Sequence, residues 1–152
     1  MRLYLDNCCY NRPYDDQSTT TVSLEAQAKL KVQEMIREGE IELVSSFMLW
    51  YELGQNPYLM RRRAIERFLR EHTFLFVEAD AEGLIRQNAQ KIMDTGVKPK
   101  DAYHVACALH AGCDSFLTTD RRLLKYRCSG MLLENPIDFV RRMEGYDNGK
   151  RH

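Results

Sequence analysis

Neither sign of charge predominates in this chain. Lysine plus arginine and aspartate plus glutamate number 22 each in 152 residues. No global field therefore draws the protein to nucleic acid or to a membrane surface, and any polyanion has to be gripped by local patches. Long hydrophobic runs are also missing, since nothing in the sequence approaches the length of a membrane span. The opening Met1-Arg2-Leu3-Tyr4-Leu5-Asp6 turns polar too early for a secretory signal, so a cytoplasmic protein is expected. The five cysteines (Cys8, Cys9, Cys107, Cys113, Cys128) form no C-x-x-C pair and have no histidine at finger spacing. This argues against a zinc finger or a disulfide framework, and for free thiols in a reducing compartment. Cys8 and Cys9 read as small buried hydrophobes rather than as a nucleophile or metal ligands. There is no internal repeat and no low-complexity block.

The chain is long enough for one well-buried core and too short for two comfortable ones. Residues 1–144 are expected to form one domain, with 145–152, which lack apolar periodicity, as a frayed tail. Leu3 to Asp6 reads as a first strand and Asn11 to Asp16 as a loop. Leu24, Ala28, Val32, Met35 and Ile36 have helical spacing, and Gly39 stops that helix. Ile41 to Ser45 suits a second strand, followed by a helix through Glu52 and a basic helix from Arg61 to Arg70. Phe74 to Val77 is a third strand, after which Asp80 caps a helix ending at Gly96. A helix from Asp101 to Gly112, a fourth strand Ser115 to Thr118, an edge strand Met131 to Leu133 and a helix from Pro136 through Met143 complete the pattern. Strands alternating with helices imply a three-layer α/β/α sandwich with a mostly parallel sheet of about five strands.

In such a sheet, ligands bind outside the carboxyl ends of the strands. Asp6 closes the first strand and Asp120 follows the fourth. Asp101 lies in the first turn of its helix, which a βαβ crossover brings to the same edge, and Glu52 lies within about two turns of it. Taken singly, these acids read as helix caps or surface residues. Taken together they form a crevice whose mutual repulsion calls for protons or cations. Hard oxygen donors suit Mg²⁺ or Mn²⁺, which can activate water against a phosphodiester. Asn7 could orient Asp6 or a metal water, or merely cap backbone, and Thr118 and Thr119 could bond a phosphate or a carboxylate, or be ordinary strand-end residues. His104 reads as a packing or supporting residue rather than a general base. Arg121 and Arg122, directly after Asp120, are candidates for positioning phosphates.

The segment Asp101-Ala102-Tyr103-His104-Val105-Ala106-Cys107-Ala108, followed by Gly112 through Asp120, resembles the second half of the PIN-domain family. The likeness extends to Leu5-Asp6-Asn7 and to Glu52, so it spans nearly the whole chain. It implies an α/β/α nuclease, of which many are VapC-type ribonuclease toxins of toxin–antitoxin pairs. By the same resemblance Asp6, Glu52, Asp101 and Asp120 are the catalytic, metal-binding acids, with Mg²⁺ or Mn²⁺ as cofactor and single-stranded RNA as substrate. A cognate antitoxin and a homodimer are implied as well. After Asp6 the chain departs from the commonest form, with Asn7-Cys8-Cys9-Tyr10-Asn11 in place of small hydroxyl residues, and Glu42 and Glu66 remain alternatives to Glu52. The competing reading is a non-catalytic PIN-like module that binds RNA or protein. A phosphoryl-accepting α/β domain fits less well, because no second aspartate stands two residues after Asp6.

Overall fold

The central strand of the sheet is the first in sequence, and it is buried on both faces. In the computed structural model, which describes residues 1–79 and 82–150, five strands pair in the order β3-β2-β1-β4-β5. They are β1 (Arg2–Leu5), β2 (Glu42–Ser46), β3 (Thr73–Val77), β4 (Ser115–Leu117) and β5 (Leu132–Glu134), and all pairings are parallel. Seven α-helices accompany them among the described residues: α1 (Asn7–Asn11), α2 (Thr20–Arg37), α3 (Phe47–Gly54), α4 (Leu59–His72), α5 (Glu82–Met93), α6 (Pro99–His110) and α7 (Pro136–Lys150). None of the described helices is long and apolar enough to cross a membrane.

Side chains alternate across a strand, so β1 feeds two cores. Tyr4 joins Val44, Val77, Phe116 and Leu133 beneath α5 and α6, whose buried face runs through Ile85, Ala89, Ala102, Val105 and Ala106. Leu3 and Leu5 point the other way, with Leu43 and Leu117, against Val32 and Ile36 of α2, Phe68 and Leu69 of α4, and Phe139 of α7. This is the expected three-layer arrangement. Tyr4 stacks on Phe116 with ring centroids 5.3 Å apart, which ties β1 to β4 through side chains as well as backbone. Gly112 makes the turn from α6 into β4 with φ at +70°, a conformation an L side chain rarely adopts.

Several elements differ from the sequence reading. The helix α1 was not expected. It starts directly after β1 because the Asp6 side chain accepts a hydrogen bond from the Asn7 amide, and it runs into a 3₁₀ turn, Arg12–Tyr14, where a loop was expected. In α2, Leu24 is 44% exposed whereas Glu25 and Lys29 are buried. Polar residues can occupy that stripe because Glu25 pairs with Arg12 at 2.9 Å and Lys29 lies over the rings of Tyr10 and Phe68. The last helix continues past Met143 to Lys150. Once a helix is nucleated on buried Phe139, each further residue adds a hydrogen bond without a new nucleation cost. The expected cap at Asp80 lies outside the described residues, as do residues 151–152.

Two phenylalanines should separate sheet core from sheet edge. Phe116→Ala, at a site fully buried beside Tyr4, is expected to cost about 3–5 kcal/mol in urea unfolding. Phe74→Ala, on edge strand β3 and 59% exposed, should stay within about 1 kcal/mol.

Candidate active site

The carboxyl ends of β1 and β4 are joined at Asp6. Its amide donates to the Leu117 carbonyl at 2.9 Å, continuing the strand pairing by one residue. Its carboxylate, 5% exposed, is then held from both sides. Oδ1 accepts from the Asn7 amide at 2.8 Å, and Oδ2 accepts from the Thr118 hydroxyl at 2.9 Å and the Cys8 thiol at 3.5 Å. The Thr118 hydroxyl also accepts from the Asp120 amide at 3.1 Å, so one side chain positions both acids. Asp120 in turn accepts from the amides of Arg122 and Leu123, at 2.9 and 3.4 Å, just before the 3₁₀ turn Leu123–Lys125.

Glu52 arrives from the opposite side, on α3, and is set by a buried polar chain. The Tyr4 hydroxyl bonds Ser46 at 2.7 Å and His104 Nδ1 at 2.6 Å, and His104 Nε2 lies 3.3 Å from Glu52 Oε1. That last contact is an ion pair without the alignment of a hydrogen bond, since Nε2 has no aligned partner. His104 is fully buried. Burial acts to lower its pKa, but Glu52, Asp6 and Asp101 outweigh burial and hold it above the usual histidine range. Burial alone would push Glu52 up, yet His104, Lys100 and the Asn7 side chain hold it below its usual range. The two opposed shifts share one contact, that of His104 with Glu52.

Asp101, in the first turn of α6, differs from both. Its pKa is pushed up to about 6, first by burial and then by the charges of Asp6, Asp120 and Glu52, against which His104 offers partial relief. The other three acids singled out in the sequence therefore all act on Asp101. Glu52, Asp101 and Asp120 line an open groove with Lys98, Pro99 and Lys100. A neighbouring cavity of about 410 Å³ is shared by Asp101 and Asp120 with Lys98, Arg122, Lys125 and Arg127. The surface is thus an acidic floor with basic walls.

Among the described residues, no three histidine, cysteine or carboxylate side chains stand close enough together to form a ready-made metal cage. Magnesium does not need one, since it binds through one or two carboxylates and keeps several waters. A set of hard oxygen donors in which burial, and then the neighbouring acids, make Asp101 resist ionisation fits such a hydrated cation.

Of the other residues read from sequence, Asn7 reaches Glu52 and Thr118 reaches Asp6. Thr119 is buried, and its amide donates to the Cys8 sulfur at 3.4 Å. Arg122 lines the cavity, whereas Arg121 is exposed and does not, because the turn after Asp120 directs successive residues apart. Tyr4, Ser46, Lys98 and Lys100 were missed. Ser46 had a legible signal, as the serine between a strand and a helix is an N-cap, and it does accept from the Leu49 amide. Tyr4 lies two residues before Asp6, hence on the same face of β1.

Comparison with known proteins agrees with this architecture. The PIN domain family model matches residues 24–127. The structure of VapBC-1 from nontypeable Haemophilus influenzae is similar at 18% identity, with a TM-score of 0.57, over 90% of this chain and 98% of that one. VapBC2 from Rickettsia felis, bound to a DNA fragment from its promoter, gives 11% identity and a TM-score of 0.54, over 89% of this chain and 98% of that one. At these identities the likeness speaks for the fold alone. No curated protein matches the chain at a significant level.

The raised pKa of Asp101 has a thermodynamic signature. Between about pH 4 and 6 the folded protein retains a proton that the unfolded chain has released, so this residue's contribution to stability falls as pH rises through that window. Asp101→Asn should therefore gain Tm relative to the parent across that interval in EDTA and keep the advantage at neutral pH. Parallel melting curves at pH 3.5, 5 and 7.5 check this.

Proposed function

The chain belongs to the PIN-domain family, and from that premise we propose that it is a metal-dependent endoribonuclease that cleaves single-stranded RNA, acting as the toxin of a type II toxin–antitoxin pair. The observation that carries this reading is the placement of Asp101 and Asp120 in one cavity with Lys98, Arg122, Lys125 and Arg127, and of Glu52 with both acids in the adjoining groove. Asp6, Glu52, Asp101 and Asp120 would hold Mg²⁺ or Mn²⁺. Such an ion supplies Lewis acidity, readying water for in-line attack and stabilising charge on the leaving oxygen.

The chain's own residues have separable tasks in this reading. Thr118 bonds the Asp6 carboxylate and the Asp120 amide, and in this reading it keeps the two acids in register for one ion. His104, bonded to Tyr4, keeps Glu52 charged and orients it, which makes His104 a positioning residue. Lys98, Arg122, Lys125 and Arg127 draw the phosphate backbone over a floor that would otherwise repel it. A protein without net charge can bind RNA in this way through a local patch. The VapBC names of the structural neighbours support an antitoxin that covers the crevice, and a homodimer in the cytoplasm is part of the same reading. The absence of a ready-made cage among the described residues favours a second reading, a PIN-like module that binds RNA or protein without cutting.

Cleavage of labelled single-stranded RNA separates the two. Cutting is expected with Mg²⁺ or Mn²⁺, not with EDTA, and it should fall at least 100-fold (about 2.7 kcal/mol or more of barrier) in Asp6→Asn and Asp101→Asn, both of which keep their fold by circular dichroism. Undiminished metal-dependent cutting in both variants would overturn the assignment. Wild type that binds RNA but never cuts it would favour the binding module. Arg122→Glu should weaken RNA binding in titrations and flatten its salt dependence by about one phosphate contact, while Arg121→Glu should do so less.

A further inference from the structure

On the layer opposite α6, between α2 and α4, lies a second cavity, of about 380 Å³, which shares no residue with the acidic crevice. Its chemistry is the inverse of the crevice. Lys29, Arg37 and Arg67 line it against a single carboxylate, Glu71, and Glu71 is engaged by Arg67 at 2.9 Å. Lys29 is 5% exposed. Of its three donors, one meets Gln33 Oε1 at 2.6 Å. The rings of Tyr10 and Phe68, each 5.5 Å from its nitrogen, stabilise the cation from the sides but bring no counter-charge. Glu25, one turn earlier on α2, is occupied by Arg12 and Asn135. The hydroxyl of Tyr10, a buried residue that also lines the cavity, has no hydrogen-bond partner at all.

A buried ammonium with no carboxylate partner is costly, as is a buried hydroxyl with no bond, and a methionine and a phenylalanine would fill the same space without either cost. Here both groups belong to residues that line one cavity together with Arg37. We infer that the cavity between α2 and α4 is a binding site for the oxyanion of a phosphate group, held by Lys29, Arg37 and the Tyr10 hydroxyl. The excess of cations over carboxylates on the wall suits a phosphate monoester, which carries about −1.5 to −2 at neutral pH. Burial, followed by the nearby Arg37 charge, lowers the Lys29 pKa to about 8, and an anion between the two would relieve that repulsion. The cavity volume lies within the range of small-ligand sites, roughly 300–1,000 Å³. Free phosphate, a mononucleotide and the phosphorylated end of an RNA share this chemistry. The site does not depend on the nuclease reading.

The test is titration of the full-length protein, in EDTA and at constant ionic strength set with sodium chloride, with inorganic phosphate, adenosine 5′-monophosphate and adenosine, followed by ¹H–¹⁵N NMR. Saturable shifts at the amides of Gln33, Arg37 and Phe68 are expected with the two phosphates and not with the nucleoside. Tighter binding of the mononucleotide would assign the apolar wall to its base, and equal binding would assign the site to the phosphate group itself. Lys29→Met, checked for folding by circular dichroism, should weaken binding at least tenfold, and Arg37→Gln, at an exposed position where folding is not at stake, at least threefold. Absence of saturable shifts in the wild type, shifts confined to Asp101 and Asp120, or unchanged affinity in both variants would each overturn the inference.

Discussion

The parallel pairing of β1 with β4 is the constraint on which the rest of this molecule depends. The register that sets Leu5 opposite Leu117 delivers the Asp6 amide to the Leu117 carbonyl and the Asp6 carboxylate to the Thr118 hydroxyl. One threonine then spans two acids that are 114 positions apart in sequence. A slip of one residue would turn Asp6 to the opposite face and bury it against the leucines of the α2 layer. The stacked Tyr4 and Phe116 rings oppose such a slip, since they too must sit on the same face.

A second set of interactions ties the site to the core. Ser46, Tyr4, His104 and Glu52 run from β2 through β1 and α6 to α3, so the orientation of Glu52 is controlled from a fully buried hydroxyl. The bonds of Tyr4 to Ser46 and to His104 Nδ1 hold that imidazole in place, while its Nε2 faces Glu52 without an aligned bond. His104 and Lys100 hold the Glu52 pKa down against burial, whereas burial and then like charges push that of Asp101 up. Neighbouring carboxylates thus acquire opposite pKa shifts from one environment. Across the sheet, the α2 and α4 layer makes the complementary arrangement, with cations and an orphan hydroxyl around a cavity. The protein's zero net charge is therefore the sum of strongly polarised regions.

Much of the fold could be read from local pattern. β-branched and leucine-rich runs alternating with helices foretold the three layers, and the apolar side of α4 (Ile65, Phe68, Leu69) is buried as its spacing indicates. The misreadings share a cause. Leu24 fits the helical period of α2 but faces solvent, while Lys29 is buried, because aromatic rings from α1 and α4 cover the lysine. The helix α1 is too short for periodicity to reveal, and its start depends on the Asp6 cap. Arg121 and Arg122 are alike as letters; only the turn after Asp120 separates them.

By itself, the sequence determined which residues could carry the chemistry: four acids at element ends, a histidine one turn after Asp101, and arginines beside Asp120. It also determined the strand–helix alternation that brings element ends to one edge, because hydrophobic period and caps are local properties. Only the tertiary structure decided how those groups act on one another. Burial and charge fall off over a few ångströms in space, whereas Asp6 and Asp120, or Lys29 and Phe68, are far apart along the chain. The raised pKa of Asp101, the pairing of Glu52 with His104 and the burial of Lys29 without a carboxylate partner all belong to that folded proximity.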